Sequence, residues 1–434
     1  MRLILPLCIA VLCFAQTASA SEPIKMSLST IILFALDKNP DLQVAEQRVI
    51  QMNEFTNEAR ADYLPRVEVT FEGGRQYVKP AAGSSNSNFG EASVRLSQPL
   101  YGGSAITSEV NRRENVRDSV AFKGQSQKKQ IILETVRLYL TVLRYQEELD
   151  KLNGFIREID AIVANIQEMY TAGAISKVMN DYAGSRQAAA HLERSRAKSS
   201  LNDALSNLEF LTGALPEFRA VVPDELTPEK YEFDLYFELA ENQNSKIKTN
   251  QAELRALKHK LNVEKAAYLP EVGLNVDAER SFNDGGDNGS ANDVSASLTM
   301  RYEIFDGFLR KHKSNRVVSE IKELEFKNDK IVKELKKDLQ LAYHQVLSSK
   351  LSLDSVRAEI KNSITVKILN AENFRLGNIN AIELIEGEER LKDAYLKRHR
   401  FQFEMNLNKF KLLIDSTILN DEFFCLSCKD IKKL

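Results

Sequence analysis

Tryptophan is absent from this 434-residue chain, and histidine occurs only five times. His191, His259, His312, His344 and His399 are scattered over helical stretches, with no Ser-His-Asp, HExxH or phosphate-loop spacing around them. With no nucleophile, base or metal set drawn together, the sequence points away from an enzyme and requires no cofactor. Cysteine is equally scarce. Cys8 and Cys13 lie in the first 20 residues, and Cys425-Leu426-Ser427-Cys428 lies near the C-terminus. That second pair has neither the βαβ setting of a redox CxxC nor nearby histidines to complete a metal site. In an oxidising compartment its expected state is a local structural disulfide. Charge of one sign is lacking too. A net charge of -2 and a pI near 6.3 exclude bulk attraction to nucleic acid or anionic lipid. Mean hydropathy is -0.32, and past residue 20 no run reaches the roughly 18 apolar residues of a membrane helix.

Those first 20 residues stand apart. Met1-Arg2 is a short positive start, Leu3 to Phe14 an apolar core, and Ala18-Ser19-Ala20 a small-x-small cleavage site. This is the pattern of a secretory signal peptide. No lipoprotein box precedes either early cysteine, so no acylated N-terminus is expected.

Two β-hairpins inserted into a helical chain are the main positive feature. Ala61-Asp62-Tyr63-Leu64-Pro65 leads into Val67, Val69 and Phe71, which alternate with Glu68, Thr70 and Glu72. Beyond a Pro, Gly, Ser and Asn turn, Ala92, Val94 and Leu96 alternate with Ser93, Arg95 and Ser97, up to Gln98-Pro99-Leu100-Tyr101-Gly102-Gly103. About 205 residues later the plan returns after Ala266-Ala267-Tyr268-Leu269-Pro270. There Val272, Leu274, Val276 and Ala278, then Val294, Ala296, Leu298, Met300, Tyr302 and Ile304, occupy alternate positions. Period-two patterning of this length marks strands, and a fixed offset marks internal duplication. The turn Asp284 to Gly289 resembles a calcium loop, although solvated turn chemistry accounts for it.

A small sandwich with one wet face is the plain account of four such strands, but it leaves long edges exposed. Segments of about ten residues flanked by Tyr63, Tyr77, Phe89, Tyr101, Tyr268, Phe282, Phe305 and Phe308 suit a membrane β-barrel with aromatic girdles better. Four strands cannot close a barrel. Open edges are not tolerated in lipid, so several copies must share one.

Each hairpin is followed by long helical patterns. Ser104 to Tyr170 would span about 100 Å. Its later half carries a heptad in which Val142, Leu149, Ile156, Val163 and Tyr170 hold one position, and Tyr145, Leu152, Ile159 and Ile166 the other. After a turn at Gly173 the chain returns to about Gly213. The second copy runs from Phe308 to Phe374, turns at Gly377 and returns to about Asp415. Val346, Leu353, Val356, Ile360 and Phe374 keep its heptad, whereas Ser349, Ser363, Lys367 and Asn370 interrupt it. The expected organisation is a signal peptide (1–20), a first repeat (21–213, hairpin about 64–101), a Pro-marked connector (214–235), a second repeat (236–415, hairpin about 269–305) and a tail (416–434).

Taken in order, Leu28-x-x-Ile31-x-x-x-Ala35-Leu36-x-x-Asn39-Pro40-x-Leu42, both Tyr-Leu-Pro lead-ins, Gln98 to Gly103, and the turns Tyr170-x-x-Gly173 and Phe374-x-x-Gly377 carry a resemblance. Over essentially the whole chain past the signal, the sequence resembles the TolC family of outer-membrane efflux and secretion ducts. The resemblance implies a mainly α fold with a β-barrel portion. A homotrimer would form a 12-stranded barrel in outer-membrane lipid and a 12-helix periplasmic α-barrel. It further implies a periplasmic adaptor and an inner-membrane ABC exporter or proton-driven pump. Drugs, toxins or proteins would be exported without hydrolysis by the duct itself. A periplasmic coiled-coil scaffold or adaptor without a pore is the alternative, and the lipid-type strands argue against it.

By the same resemblance, function concentrates at the helix turns. Glu383 and Glu386 share a helix face and correspond to positions whose carboxylates ring the constriction. Such a ring would favour cations. A solvated Glu-rich face is the plainer account of the same residues. Three departures stand out: Ile379 replaces a basic residue, Phe374 replaces a tyrosine, and Met179 falls where an acidic gate partner is expected, with Asp181 close by. Closure is therefore expected to rest on apolar packing of Ile175, Met179 and Ile379 rather than on a salt-bridged latch.

Overall fold

The computed structural model describes residues 24–78, 85–223, 232–283, 289–416 and 418. The expected signal peptide, the cysteine pair at 425 and 428, and residues 79–84 and 284–288 in the hairpin turns lie outside them.

A short strand, β1 (Ile24–Met26), precedes α1 (Leu28–Lys38) and α2 (Pro40–Ala61). The first hairpin follows as β2 (Arg66–Val78) and β3 (Ser85–Gly102). Next come α3 (Ala105–Thr171), α4 (Lys177–Thr212) and a three-residue β4 (Phe218–Ala220). The second half runs through α5 (Phe233–Gln243), α6 (Ser245–Ala266), β5 (Glu271–Phe282), β6 (Ser290–Arg301), α7 (Leu309–Arg375) and α8 (Ala381–Asp415). Helices at matching places have matching lengths: 11 residues for α1 and α5, 22 for α2 and α6, and 67 for α3 and α7. The break between the first two is local chemistry. Asn39 caps α2 by accepting from the Asp41 amide at 2.9 Å, and Asn244 does the same for Lys246 at 2.8 Å. Pro40, in the first turn of α2, costs no hydrogen bond there.

The four long strands form one antiparallel sheet ordered β2-β3-β5-β6. Register sorts its faces. Val69, Val94, Ala278 and Val294 pair across all four strands, as do Val67, Leu96, Val276 and Ala296. The neighbouring row, Glu68, Arg95, Asp277 and Ser295, points to the opposite face, where Arg95 meets Asp277 at 2.6 Å. The apolar face is uncovered, with Phe71 79% and Val294 80% exposed. Among the described residues, β2 and β6 end the sheet as unpaired edges.

Strand gives way to helix at Gly103-Ser104 and again at Gly307-Phe308, two pairs of residues all at positive φ. Glycine is required at the first pair, because a Cβ on Gly103 would sit 2.9 Å from the Ala266 carbonyl and from Leu269. At the second pair, buried Arg310 donates to Asp306 at 2.8 Å and to the carbonyls of Ala267 and Glu303 at 2.9 Å. That clamp explains one correction to the sequence reading. The alternation runs on through Tyr302 and Ile304, but β6 stops at Arg301, since residues 302–305 follow the Arg310 junction instead of the ladder.

The connector expected at 214–235 is not wholly irregular. β4 within it pairs in parallel with β1, and α5 begins at Phe233. Both short strands lie against the main apolar core, where α1 and the inner stretches of α3 to α8 meet around the fully buried Tyr139. The Tyr139 hydroxyl lies 2.8 Å from the carbonyls of Met26 and Val221 and accepts from the Val221 amide at 2.8 Å. Tyr139→Phe would strand these buried groups, so we expect a loss of about 1–3 kcal/mol in denaturant unfolding. A variant as stable as the parent would show that Tyr139 does not pin the two strands.

Candidate functional site at the helix turns

Both helical hairpins turn in the same way. After α3, amide-to-carbonyl bonds run from Gly173 to Tyr170 at 2.9 Å and from Ala174 to Met169 at 2.8 Å; after α7, from Gly377 to Phe374 at 3.0 Å and from Asn378 to Asn373 at 2.9 Å. Gly173 and Gly377 take φ of 75° and 73°, the left-handed conformation that ends a helix and favours glycine. Ser176 then caps α4 by accepting from the Met179 amide, and Asn380 caps α8 by accepting from the Glu383 amide at 3.1 Å. Met179 and Glu383 therefore hold the same third position of their helices. A carboxylate there is favoured by the helix N-terminus whether or not it lines a pore.

The other expected site residues divide. Ile175 and Phe374 pack on a small core of Phe155, Ile156, Ile159, Ile166, Ala183, Ala190, Ala381 and Ile385. Tyr170, Met179 and Ile379 are half-buried and outside that cluster, and Asp181 is exposed. Glu383 is exposed, and among the described residues no cation pairs with it. Half-buried Glu386 lies 3.3 Å from Arg390, one helical turn on.

What the sequence reading missed is a band of charged contacts one to several turns back from the ends. Lys367 of α7 bridges Glu158 of α3 and Glu388 of α8, at 3.1 Å from the latter. Arg186 of α4 pairs with Glu389, and Lys392 of α8 meets Glu193 of α4 at 2.7 Å. His399 of α8, almost fully buried, meets Glu147 of α3 at 2.7 Å. These groups perturb one another. Burial, then the adjoining Glu158 carboxyl, pushes Glu388 up to about 7 against the pull of Lys367. Burial would also raise Glu158, but hydrogen bonds from Glu388 and Lys367 outweigh it and hold its carboxyl below the usual range. A signal for part of the band was present: Lys367 and Asn370 are two of the polar interruptions in the α7 heptad. Asn370 fills its place by donating to the Glu383 carbonyl at 3.0 Å. Among the described residues no group of three or more histidine, cysteine or acidic side chains is placed to hold a metal, and no helix is long and apolar enough to cross a membrane.

A sheet with one uncovered apolar face, long helical hairpins and closely matched turns make up an architecture shared with solved outer-membrane channels. The sequence profile of the outer membrane efflux protein family matches residues 32–214 and 237–400, and the chain belongs to that family. It is an outer-membrane protein with a periplasmic helical extension, in a family of channels rather than enzymes. Among curated relatives, Protein CyaE of Bordetella pertussis is 24% identical over 311 residues. That match spans 69% of this chain and 65% of CyaE, just under two thirds of the relative's length. The alkaline protease secretion protein AprF of Pseudomonas aeruginosa is 21% identical over 83% of this chain and 78% of its own. The fold matches a crystal structure of CusC with a TM-score of 0.81 at 14% identity, covering 90% and 91% of the two chains. It matches the Campylobacter jejuni CmeC outer membrane channel with a TM-score of 0.80 at 15% identity, covering 94% and 88%.

Ile166 is fully buried at the centre of the turn-end core. Ile166→Ala should cost about 2–4 kcal/mol and speed hydrogen exchange around both turns. Unchanged exchange there would show that the cluster does not hold the turns.

Proposed function

We propose that three copies of this chain close one outer-membrane duct. Each copy gives its four strands to a 12-stranded barrel and its four long helices to a 12-helix periplasmic tube. The observation that carries this reading is the sheet itself, with registered apolar rows that no second layer covers and two edges unpaired among the described residues. The apolar rows are stable facing lipid rather than water, and in lipid the two edges stay unsatisfied until edge meets edge. The matching helix lengths support an origin by duplication. Exposed apolar side chains on α4 (Val178, Leu192, Phe210) and α7 (Leu341, Leu347, Leu351, Ile368, Leu369) offer the helices similar surfaces for neighbouring copies.

The duct takes its substrate from a periplasmic adaptor and an inner-membrane transporter. The name of AprF favours a secreted protein as the cargo, and an ABC exporter is the transporter we assign to it; a proton-driven pump with a small-molecule cargo is the second reading. At the turn end, Glu383 and Glu386 line the constriction in three copies, and Glu383 dominates because Arg390 offsets Glu386. A pore-free scaffold would be extracted from membranes by carbonate and would conduct nothing. In planar bilayers the protein should conduct with cation preference, and Glu383→Lys with Glu386→Lys should shift it toward anions. Unchanged selectivity would remove these two residues from the constriction.

A further inference from the structure

We propose that Glu158, Lys367 and Glu388 form a proton-titrated tie between the two helical hairpins of one protomer. It holds the turn end of the duct firmest under mildly acidic conditions and slackens it toward neutral pH. The proposal rests on the duct reading for its consequence, though not for its geometry.

The geometry is a crossing point. Glu158 belongs to the α3–α4 hairpin, whereas Lys367 and Glu388 belong to α7–α8. Lys367 is bonded to both carboxylates, and Glu388 is only 6% exposed. Its place is a seam position: seven-residue steps from Val346 run through Leu353 and Ile360 to Lys367 and then Phe374. The helices also come close here, since a Cβ on Gly387 would meet the Asn370 amide nitrogen at 2.9 Å. A cavity of about 380 Å³ adjoins the cluster and gives protons a route in.

Charge balance supplies the switch. Two carboxylates share one ammonium, so with both ionised Glu388, the more buried of the two, has no cation of its own in a partly dry seam. The other cations relieve Glu158 rather than Glu388. Asp150, Lys151 and Arg157 of α3 and Lys392 of α8 line the same cavity, Arg157 acting on Glu158. Lys392 is engaged by Glu193 and Asp393, and Arg186 of α4 by Glu389. A proton on Glu388 resolves the conflict, because its O–H donates to Glu158 while Lys367 neutralises Glu158. Glu388 is raised from 4.5 to about 7, so its stabilising contribution is complete below about 4.5 and is lost as pH climbs through 7. Glu158 is shifted downward from 4.5, so its contribution is present above that value and lost in stronger acid. Together they place the tightest state near the ordinary glutamate value.

Hydrogen exchange on the full-length protein in detergent reads the tie, and bilayer conductance reads its consequence. Between pH 5 and 8, protection of amides around Glu158, Lys367 and Glu388, corrected for intrinsic rate, should fall by at least about tenfold. Conductance should rise over the same range. Glu388→Gln keeps an N–H donor to Glu158 without a charge, so its protection should be high and pH-independent. Lys367→Met should be weakly protected throughout. A parallel pH profile in parent and Glu388→Gln would overturn the tie. A profile present in exchange but absent from conductance would overturn its gating role, and absence of any conductance in all three proteins would overturn the duct reading instead.

Discussion

An unpaired strand edge cannot persist in hydrocarbon, where no water satisfies its amides and carbonyls. Most of this chain's architecture follows from that constraint. In the proposed duct, β2 and β6 would therefore pair with the edges of neighbouring copies. Shared closure would fix the copies side by side at the membrane. Helices that leave the sheet through the Gly103 and Gly307 junctions would then run alongside those of their neighbours for about 100 Å. Whatever the hairpins do at the distant turns, they would do as members of a ring whose other end is held by strand pairing.

The parts legible in the sequence were those with a sustained period. Three to six alternating pairs announced each strand, and the heptad from Val142 to Tyr170 announced the α3 seam. Gly173 and Gly377 announced turns because few other residues accept positive φ. The three-residue strands β1 and β4 carry no period at all. They exist because Tyr139, more than a hundred residues from one and about eighty from the other, binds their backbones. Period also misled at Tyr302 and Ile304. There the alternation outlasts the ladder, because Arg310 takes the Glu303 carbonyl and redirects the chain.

At the candidate site, local rules located the turns and left the partners unseen. Glu383 and Glu386 could be placed on one helix face from spacing alone, but the contact between Glu386 and Arg390 shows that spacing does not set charge. The more instructive case is the weak heptad of α7. Read along one helix, Lys367 and Asn370 are defects. Across three helices they are matched by Glu158, Glu388 and the Glu383 carbonyl, none of which lies in α7.

A charged residue in a seam usually costs stability relative to a leucine, since desolvation offsets much of the Coulomb gain. Its return is discrimination. An uninterrupted apolar seam can slip by a heptad and lose little, whereas a lysine that must meet two particular carboxylates fits one register only. The α3 seam is apolar from Val142 to Tyr170, so it separates only by exposing carbon to water. The α7–α8 seam near its turn is polar, and its groups can exchange partners with water at smaller cost. The two hairpins of one protomer are thus alike in length and unlike in what separation costs. Any widening of the turn end should therefore start where Lys367 lets go, while the α3 seam and the barrel stay closed.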